Sequence, residues 1–497
     1  MKQSESPAAR LNRLPSHVPG LDIVLGGGFF QSGVYIIHGL PGCGKTILAN
    51  QLCYGTAKTG GQSVYVTLLA ESHSRMLQHL RGMSFFDESL IPSKLTYISA
   101  FAELEETGLK GLMGVLRREM QQHKAKLLVL DGLVAAAETA ESNRELKKFI
   151  HEIQTNAVFH DCTVLLLTSG LPNRVNAEHT MVDGLIEIDD RLFDVRSERS
   201  LQVLKFRGGK TLRGKHAFQI SNDGLRVFPR TEVLYDQPPS AMAEHQYLSL
   251  GAPGFDHMLD KGGLPGASAT VVVGSTGTGK TSLCLHFLSC CTEQEPGLYF
   301  GFFESPDRVR STAESFGLEF RALEARGALS LMWHPQSEHL LDELAHRMLE
   351  TVAAKGIKRL VIDGLAGFFE AASHSERLGR FFAVLTNELR RRGVTVLMSL
   401  ETRDAIGSSV PMPYGVSALV DNLIYLRFVE NNGELKRLVS IIKLRNSAFN
   451  PGTFAFSIDG RGMLVHGRYS AGGDVIPHAD AVAAKSPDPR SEGQGRS

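Results

Sequence analysis

Two octapeptides carry the chemistry that this chain can do. Gly39-Leu40-Pro41-Gly42-Cys43-Gly44-Lys45-Thr46 and Gly274-Ser275-Thr276-Gly277-Thr278-Gly279-Lys280-Thr281 both read Gly-x-x-x-x-Gly-Lys-Thr. Glycines at these spacings let successive backbone N–H groups turn inward around an anion, and a helix N-terminus behind the loop adds partial positive charge. Lys45 and Lys280 can then reach the β- and γ-phosphates of a nucleoside triphosphate, and the Thr46 and Thr281 hydroxyls can ligate Mg²⁺. Each octapeptide follows an apolar run, Val34-Tyr35-Ile36-Ile37 or Ala269-Thr270-Val271-Val272-Val273. Each precedes a helix-like stretch, Ile47 to Leu52 or Ser282 to Leu288. One such match is also met by a plain glycine turn before a core helix; two in the same strand–loop–helix context argue for phosphate loops.

The rest of such a site needs acids. Leu127-Leu128-Val129-Leu130-Asp131 and Arg359-Leu360-Val361-Ile362-Asp363 are apolar strands ending in a carboxylate. Beside a phosphate loop, Asp131 and Asp363 would orient a metal ion's water shell; the plainer reading of Asp-Gly is a helix N-cap. Glu71 and Glu304, each just past a strand pattern (Ser63 to Leu69, Leu298 to Phe303), are the candidates to orient or deprotonate water, against a solvated glutamate at a strand end.

The elements that must position these groups recur. Leu14-Pro15-Ser16-His17-Val18-Pro19-Gly20-Leu21-Asp22 returns as Leu250-Gly251-Ala252-Pro253-Gly254-Phe255-Asp256. Lys45 and Lys280 stand 235 positions apart, Asp131 and Asp363 232, Lys205 and Lys443 238. A period this long is a duplicated domain, not a solenoid unit. In each copy continuous apolar strands alternate with amphipathic helical patterns such as Arg144 to Phe159, which predicts an α/β fold with a mostly parallel sheet covered on both faces. The boundaries read as a disordered lead at 1–12, a first domain at 13–235, a linker at 236–245 marked by Pro238-Pro239, a second domain at 246–467, and a disordered tail at 468–497.

Composition narrows the function. With 497 residues and a formal net charge of zero, there is no general basic excess of the kind nucleic-acid binders carry. No signal-like core opens the chain and no apolar run is long enough to span a bilayer, so a cytoplasmic location is expected. The six cysteines form no C-x-x-C pair and lie mostly in apolar segments, which predicts buried thiols; Cys43, inside a phosphate loop, is the exception.

Together these features resemble the KaiC family of tandem RecA-like P-loop ATPases, over nearly the whole chain from Leu14 to Gly467. The resemblance rests on the doubled opening motif, both phosphate loops, Asp131 and Asp363, and two Lys-x-Arg motifs, Lys205-Phe206-Arg207 and Lys443-Leu444-Arg445. It implies ATP and Mg²⁺ as ligands, a homo-hexameric double ring, and ATP bound between neighbouring chains. It also implies that Lys205, Arg207, Lys443 and Arg445 reach the γ-phosphate held by the adjacent subunit, as an arginine finger does. Taken alone, they read as basic residues on a solvated strand.

The chain departs from the family in two places. The family's adjacent glutamates after the second strand of each domain read Ala70-Glu71 and Phe303-Glu304 here. Where clock members of the family phosphorylate a Ser-Thr pair, this chain has Ser417-Ala418 before Asp421. That excludes dual phosphorylation at this pair and leaves Ser417 as the candidate acceptor for serine autokinase activity.

The leading expectation is therefore a ring-forming ATPase serving an unidentified signalling partner. A RecA-like DNA motor or recombinase is the first alternative, although Arg390-Arg391-Arg392 is the densest basic cluster and ends a helix. A nucleotide-dependent scaffold without turnover is the second.

Overall fold

The computed structural model describes residues 12–68, 73–169, 180–193, 195–236, 246–335, 339–402, 420–431, 433–470 and 475–477. It divides into two units, Met1–Leu234 and Tyr235–Ser497. In the first, the strands are β1 (Val34–His38), β2 (Ser63–Thr67), β3 (Leu95–Ser99), β4 (Leu127–Asp131), β5 (Thr163–Thr168), β6 (Gly184–Phe193), β7 (Arg196–Phe206), β8 (Lys215–Ser221) and β9 (Gly224–Phe228). They lie in the order β9-β8-β7-β6-β1-β5-β4-β2-β3. The run from β6 to β3 is parallel, and β7 to β9 continue it antiparallel.

The second unit repeats the plan with β10 (Ala269–Gly274), β11 (Gly297–Gly301), β12 (Leu329–Trp333), β13 (Arg359–Asp363), β14 (Thr395–Glu401), β15 (Asn422–Asn431), β16 (Glu434–Lys443), β17 (Thr453–Asp459), β18 (Gly462–Tyr469) and β19 (Val475–Pro477). Their order is β12-β11-β13-β14-β10-β15-β16-β17-β18-β19.

The continuous apolar runs are explained by burial on both faces. Val34 and Ile36 pack into one core layer of the first unit, and Tyr35 and Ile37 into the other. Val271 and Val273 face one layer of the second unit, Val272 the other. Each such side chain contributes about 1.5–3 kcal/mol on burial. The helix behind the first loop, α1 (Lys45–Lys58), covers one face; α2 (Phe101–His123) and α3 (Asn143–Phe159) cover the opposite one. Ser142 caps α3 by accepting from the Glu145 N–H at 3.2 Å. In the second unit α4 (Lys280–Ser289) lies on one face, with α5 (Leu341–Lys355) and α6 (Leu378–Arg391) on the other.

The doubled opening motif is a docking device. Gly20 and Gly254 both take positive φ, 81° and 79°, where a Cβ would strike the carbonyls of Val227 and Val465. Asp22 accepts from the Ser16 N–H at 2.9 Å, and Asp256 accepts from the Leu250 N–H at 3.1 Å.

Three sequence expectations need correcting. The strand expected from Ser63 to Leu69 ends at Thr67, with Leu68 beyond it. Leu298 to Phe303 is not all strand: β11 ends at Gly301, so Phe303 and Glu304 lie in the following loop. A disordered tail from 468 also fails near its start. Strand β18 runs to Tyr469, and β19 pairs antiparallel with it, Arg468 opposite Ile476. A ladder is made by backbone groups, so a stretch poor in apolar residues can still extend a sheet edge. The lead up to residue 11, most of the linker (237–245), and the tail after 477 lie outside the described residues, as do Glu71 and Ser417.

Candidate nucleotide sites

Both phosphate loops sit at the carboxyl end of the central parallel strand of their sheet, the edge where open α/β sheets bind ligands. Their glycines are demanded by shape. Gly44 and Gly279 stand at φ 107° and 102° just before α1 and α4, and a Cβ on either would press within 2.7 Å of an isoleucine methyl, Ile220 or Ile458. Gly42 and Gly277 are also at positive φ. At Gly39 and Gly274 a Cβ would collide with the carbonyls of Ile188 and Leu426.

The fifth loop residue turns beneath the loop. Thr278 is fully buried and donates to the Ser275 carbonyl at 2.7 Å. Cys43 occupies the same place, 1% exposed, with its Sγ 3.9 Å from the Lys45 Nζ. Burial pushes the Cys43 thiol up, opposed by the Lys45 ammonium. The other cysteines are free thiols too, buried except for the half-buried Cys290.

The loop lysines bond to their own loops. Lys45 donates to the carbonyls of Gly39 (2.7 Å) and Leu40 (2.9 Å), and Lys280 to those of Gly274 and Ser275, both at 2.9 Å. Burial pulls the Lys280 ammonium down, opposed by Glu401 and Asp363.

Asp131 ends β4 and Asp363 ends β13, two strands away from the loop strand. The helix after β4 is capped by Gly132, not by Asp131. Thr46 donates to the Asp131 carboxylate at 3.5 Å, and Thr281 to that of Asp363 at 3.2 Å. A tyrosine holds each acid from the neighbouring strand: Tyr65 donates to Asp131 at 2.6 Å and Tyr299 to Asp363 at 2.8 Å. Asp363 accepts a further bond from Ser399 at 2.5 Å. Burial raises the Asp131 carboxyl, against the pull of Tyr65, Lys45 and Thr46.

Sequence reasoning missed these tyrosines and Ser399. Tyr65 and Tyr299 stand 234 positions apart, matching the repeat, which is the signal that could have found them.

In the second unit Lys280, Thr281, Asp363 and Ser399 line a cavity of about 620 Å³ that also takes in Phe303, Glu304 and Glu401. Because both Phe303 and Glu304 lie past the end of β11, strand alternation does not turn Glu304 away. Its Oε2 is shielded from solvent without a hydrogen-bond partner among the described residues, and Oε1 is 3.9 Å from Arg308. Burial, and then the charge of Asp363, raises the Glu304 carboxyl.

The Lys-x-Arg pairs lie elsewhere. Lys205 faces Leu185 across the β6–β7 ladder, and Lys443 faces Leu423 across β15–β16. Gly184 is level with Tyr35 and Asn422 with Thr270, so each pair sits at the sheet edge opposite its own loop. Four strand residues, about 13 Å, separate these levels from Gly39 and Gly274. The amines point further away still: Lys205 donates to the Thr180 carbonyl at 2.8 Å and Lys443 to that of Val420 at 2.6 Å. Arg207 bonds to the Thr180 carbonyl at 3.4 Å, and Arg445 lies 3.8 Å from Asp421. Burial and then the adjacent arginine pull both lysines down. Lys205 also lines a concavity of about 790 Å³ with Lys210 and Arg213.

Among the described residues no group of three or more His, Cys, Asp or Glu is placed to hold a metal ion. The hydroxyl and carboxylate that meet in each site, Thr46 with Asp131 and Thr281 with Asp363, suit Mg²⁺, which keeps several waters and takes further oxygens from substrate phosphates.

Two sheets with a phosphate loop, helix and strand-end aspartate apiece define a tandem P-loop NTPase of RecA-like architecture. A family model described as ATPase: KaiC matches residues 14–232 and again 248–470. This chain belongs to that family. Among its relatives, the "Circadian clock oscillator protein KaiC" of Rippkaea orientalis is 24% identical over 478 residues, spanning 93% of this chain and 90% of the relative. The "Circadian clock protein KaiC3" of Synechocystis sp. is 24% identical over 476 residues, spanning 92% of each. No helix among the described residues is long and apolar enough to cross a membrane.

Proposed function

We propose that this chain is a Mg²⁺-dependent ATPase with one nucleotide per domain, each site completed by the Lys-x-Arg pair of a second copy in a closed, cytoplasmic ring. The observation that carries this reading is the split between the two halves of the machinery. Loop, lysine and aspartate converge at one edge of each sheet, while the basic pair stands at the other. A unit so built does not close its own site, and the pair of a second copy is our candidate to close it. Two cations held side by side and partly desolvated suit an anion brought by another molecule. Six copies follow from the family resemblance.

In the second site Lys280 and the loop amides would hold the β- and γ-phosphates. Thr281 and Asp363 would hold Mg²⁺, which when bound neutralises developing charge on the phosphate oxygens. Tyr299 and Ser399 keep the Asp363 carboxylate oriented. Glu304, with an unpartnered oxygen and a raised carboxyl, is suited to accept the proton of attacking water. In the first site Lys45, Thr46 and Asp131 take the matching roles, with Glu71 as the proposed base.

Phosphate release under Mg·ATP tests the reading. Glu304→Gln should lower second-site turnover by about 10²- to 10⁴-fold while leaving ATP binding intact. Before substitution the rate should rise with pH through a value above the ordinary glutamate range, since a base works only when ionised and burial holds this carboxyl up. The Gln variant should lose that acid limb. Unchanged turnover with an unchanged pH profile would remove Glu304 from the chemistry.

The autokinase extension rests on Ser417 alone. Intact mass spectrometry after incubation with Mg·ATP, with Ser417→Ala as control, tests it. A mass gain of one phosphate that survives the substitution would reject that acceptor.

The DNA-motor alternative draws no support from Arg390, Arg391 and Arg392. Arg390 pairs with Asp421 at 2.7 Å, and the other two pair with Glu388 at 3.1 and 2.8 Å.

A further inference from the structure

The two sites are not chemically equal, and the inequality sits on the strand beside each loop. Glu401, the last residue of β14, lies level with Gly274, the first glycine of the second loop. Its carboxylate accepts a hydrogen bond from the hydroxyl of Thr276, inside the loop. The next residue, Thr402, donates its N–H to the Gly274 carbonyl at 3.1 Å, the same oxygen that receives Lys280. Glu401 also lines the cavity with Lys280 and Asp363. In the first unit His38 is level with Thr168, which sets Ser169 at the position of Glu401. One loop is flanked by a carboxylate, the other by a neutral hydroxyl.

We propose that Glu401 is a specificity-determining residue that makes the second site discriminate against the third phosphate, relative to the first site. The inference rests on reading this loop as a nucleotide site. A phosphate loop attracts an anion through inward amides and the lysine. Lys280 serves the β- and γ-phosphates, and of the acids around that lysine Glu401 acts on it more strongly than Asp363. A carboxylate tied to the loop competes with incoming phosphate for the same positive field. ATP brings one more charged phosphate than ADP to the lysine end, so it bears the larger repulsion. Glu401 is exposed, so water and salt screen part of this repulsion. In this geometry ATP must displace the Thr276–Glu401 contact or share the loop with it. The first site has Ser169 in that place, and the acid that does act at its loop, Asp189, is paired with Arg191 at 2.5 Å and Lys215 at 3.3 Å.

The test uses the full-length chain with Lys45→Ala to silence the first site, and calorimetric titration with Mg·ATP and Mg·ADP. Adding Glu401→Gln keeps an acceptor for Thr276 and removes the charge. ATP should then bind about tenfold tighter, the scale of one partly screened like-charge contact, while ADP changes by less than about twofold. The reciprocal experiment places Ser169→Glu in a chain silenced at the second site by Lys280→Ala. There ATP should weaken about tenfold and ADP stay within about twofold. Equal responses of the two nucleotides, or weaker ATP binding in the Gln variant, would overturn the inference and leave the site assignment standing. Absence of any nucleotide binding in the Lys45→Ala parent would overturn both.

Discussion

Calorimetric titration of the Lys280→Ala variant with Mg·ATP should give one bound nucleotide per chain, against two for the unsubstituted chain. The ammonium of Lys280 is half-buried and spends both observed bonds on carbonyls of its own loop. A phosphate in the loop would offer it charged acceptors in place of neutral ones, and each hydrogen bond to a charged group is worth about 1.5–3 kcal/mol. Losing two such bonds corresponds to about 10²-fold or more in affinity. The loop itself should survive, because other donors serve the same carbonyls. Thr402 N–H bonds to Gly274, and Thr278 bonds to Ser275.

The first site repeats the arrangement: Lys45 donates to the Gly39 and Leu40 carbonyls as Lys280 does to those of Gly274 and Ser275. Lys45→Ala should therefore also remove one nucleotide. Two equivalents of ATP bound by either variant would show that the lysines do not define the sites.

These loops were legible in the sequence because their function is local. A glycine at φ above 100° and a lysine one residue later are both fixed by neighbours along the chain. Asp131 and Asp363 were legible for a similar reason, since each is the acid that closes an apolar run, Leu127 to Leu130 or Leu360 to Ile362. What holds those acids was not legible from pattern alone. Tyr65 and Tyr299 lie on adjacent strands, and only the parallel register brings their hydroxyls to the carboxylates. Their ring bodies look like core residues, and they are core residues, with the hydroxyl spent on the site.

Glu304 shows how a strand boundary decides which side chains line a cavity. Extended to Phe303, β11 would have sent Phe303 and Glu304 to opposite faces. Ending at Gly301, it lets both line the cavity. The ring of Phe303 lies where a Cβ on Gly364 would be. Glu401 escaped notice because its partner, Thr276, is 125 residues earlier in the chain.

The largest effect should come from the basic pairs, and its signature is complementation. Arg445→Ala and Lys443→Ala should each cost about 10³-fold or more in second-site turnover, the scale of an arginine finger, with ATP binding far less affected. The loss alone does not distinguish help given to a chain's own loop from help given to another's; mixing does. An Arg445→Ala chain retains an intact loop, and a Lys280→Ala chain retains an intact Arg445. Where they meet in one assembly, the first lends the loop and the second the guanidinium, and one kind of interface regains both halves. Phosphate release should rise above the sum of the two separate variants as they are titrated together, and pass through a maximum at an intermediate ratio. A double variant carrying Arg445→Ala and Lys280→Ala in one chain should fail to rescue either single variant. Strict additivity at every ratio, with mixed assemblies demonstrated by native mass spectrometry, would mean that each chain completes its own site. The geometry opposes that outcome: the amine of Lys443 rests on Val420, beyond the far end of a strand whose length separates it from Gly274.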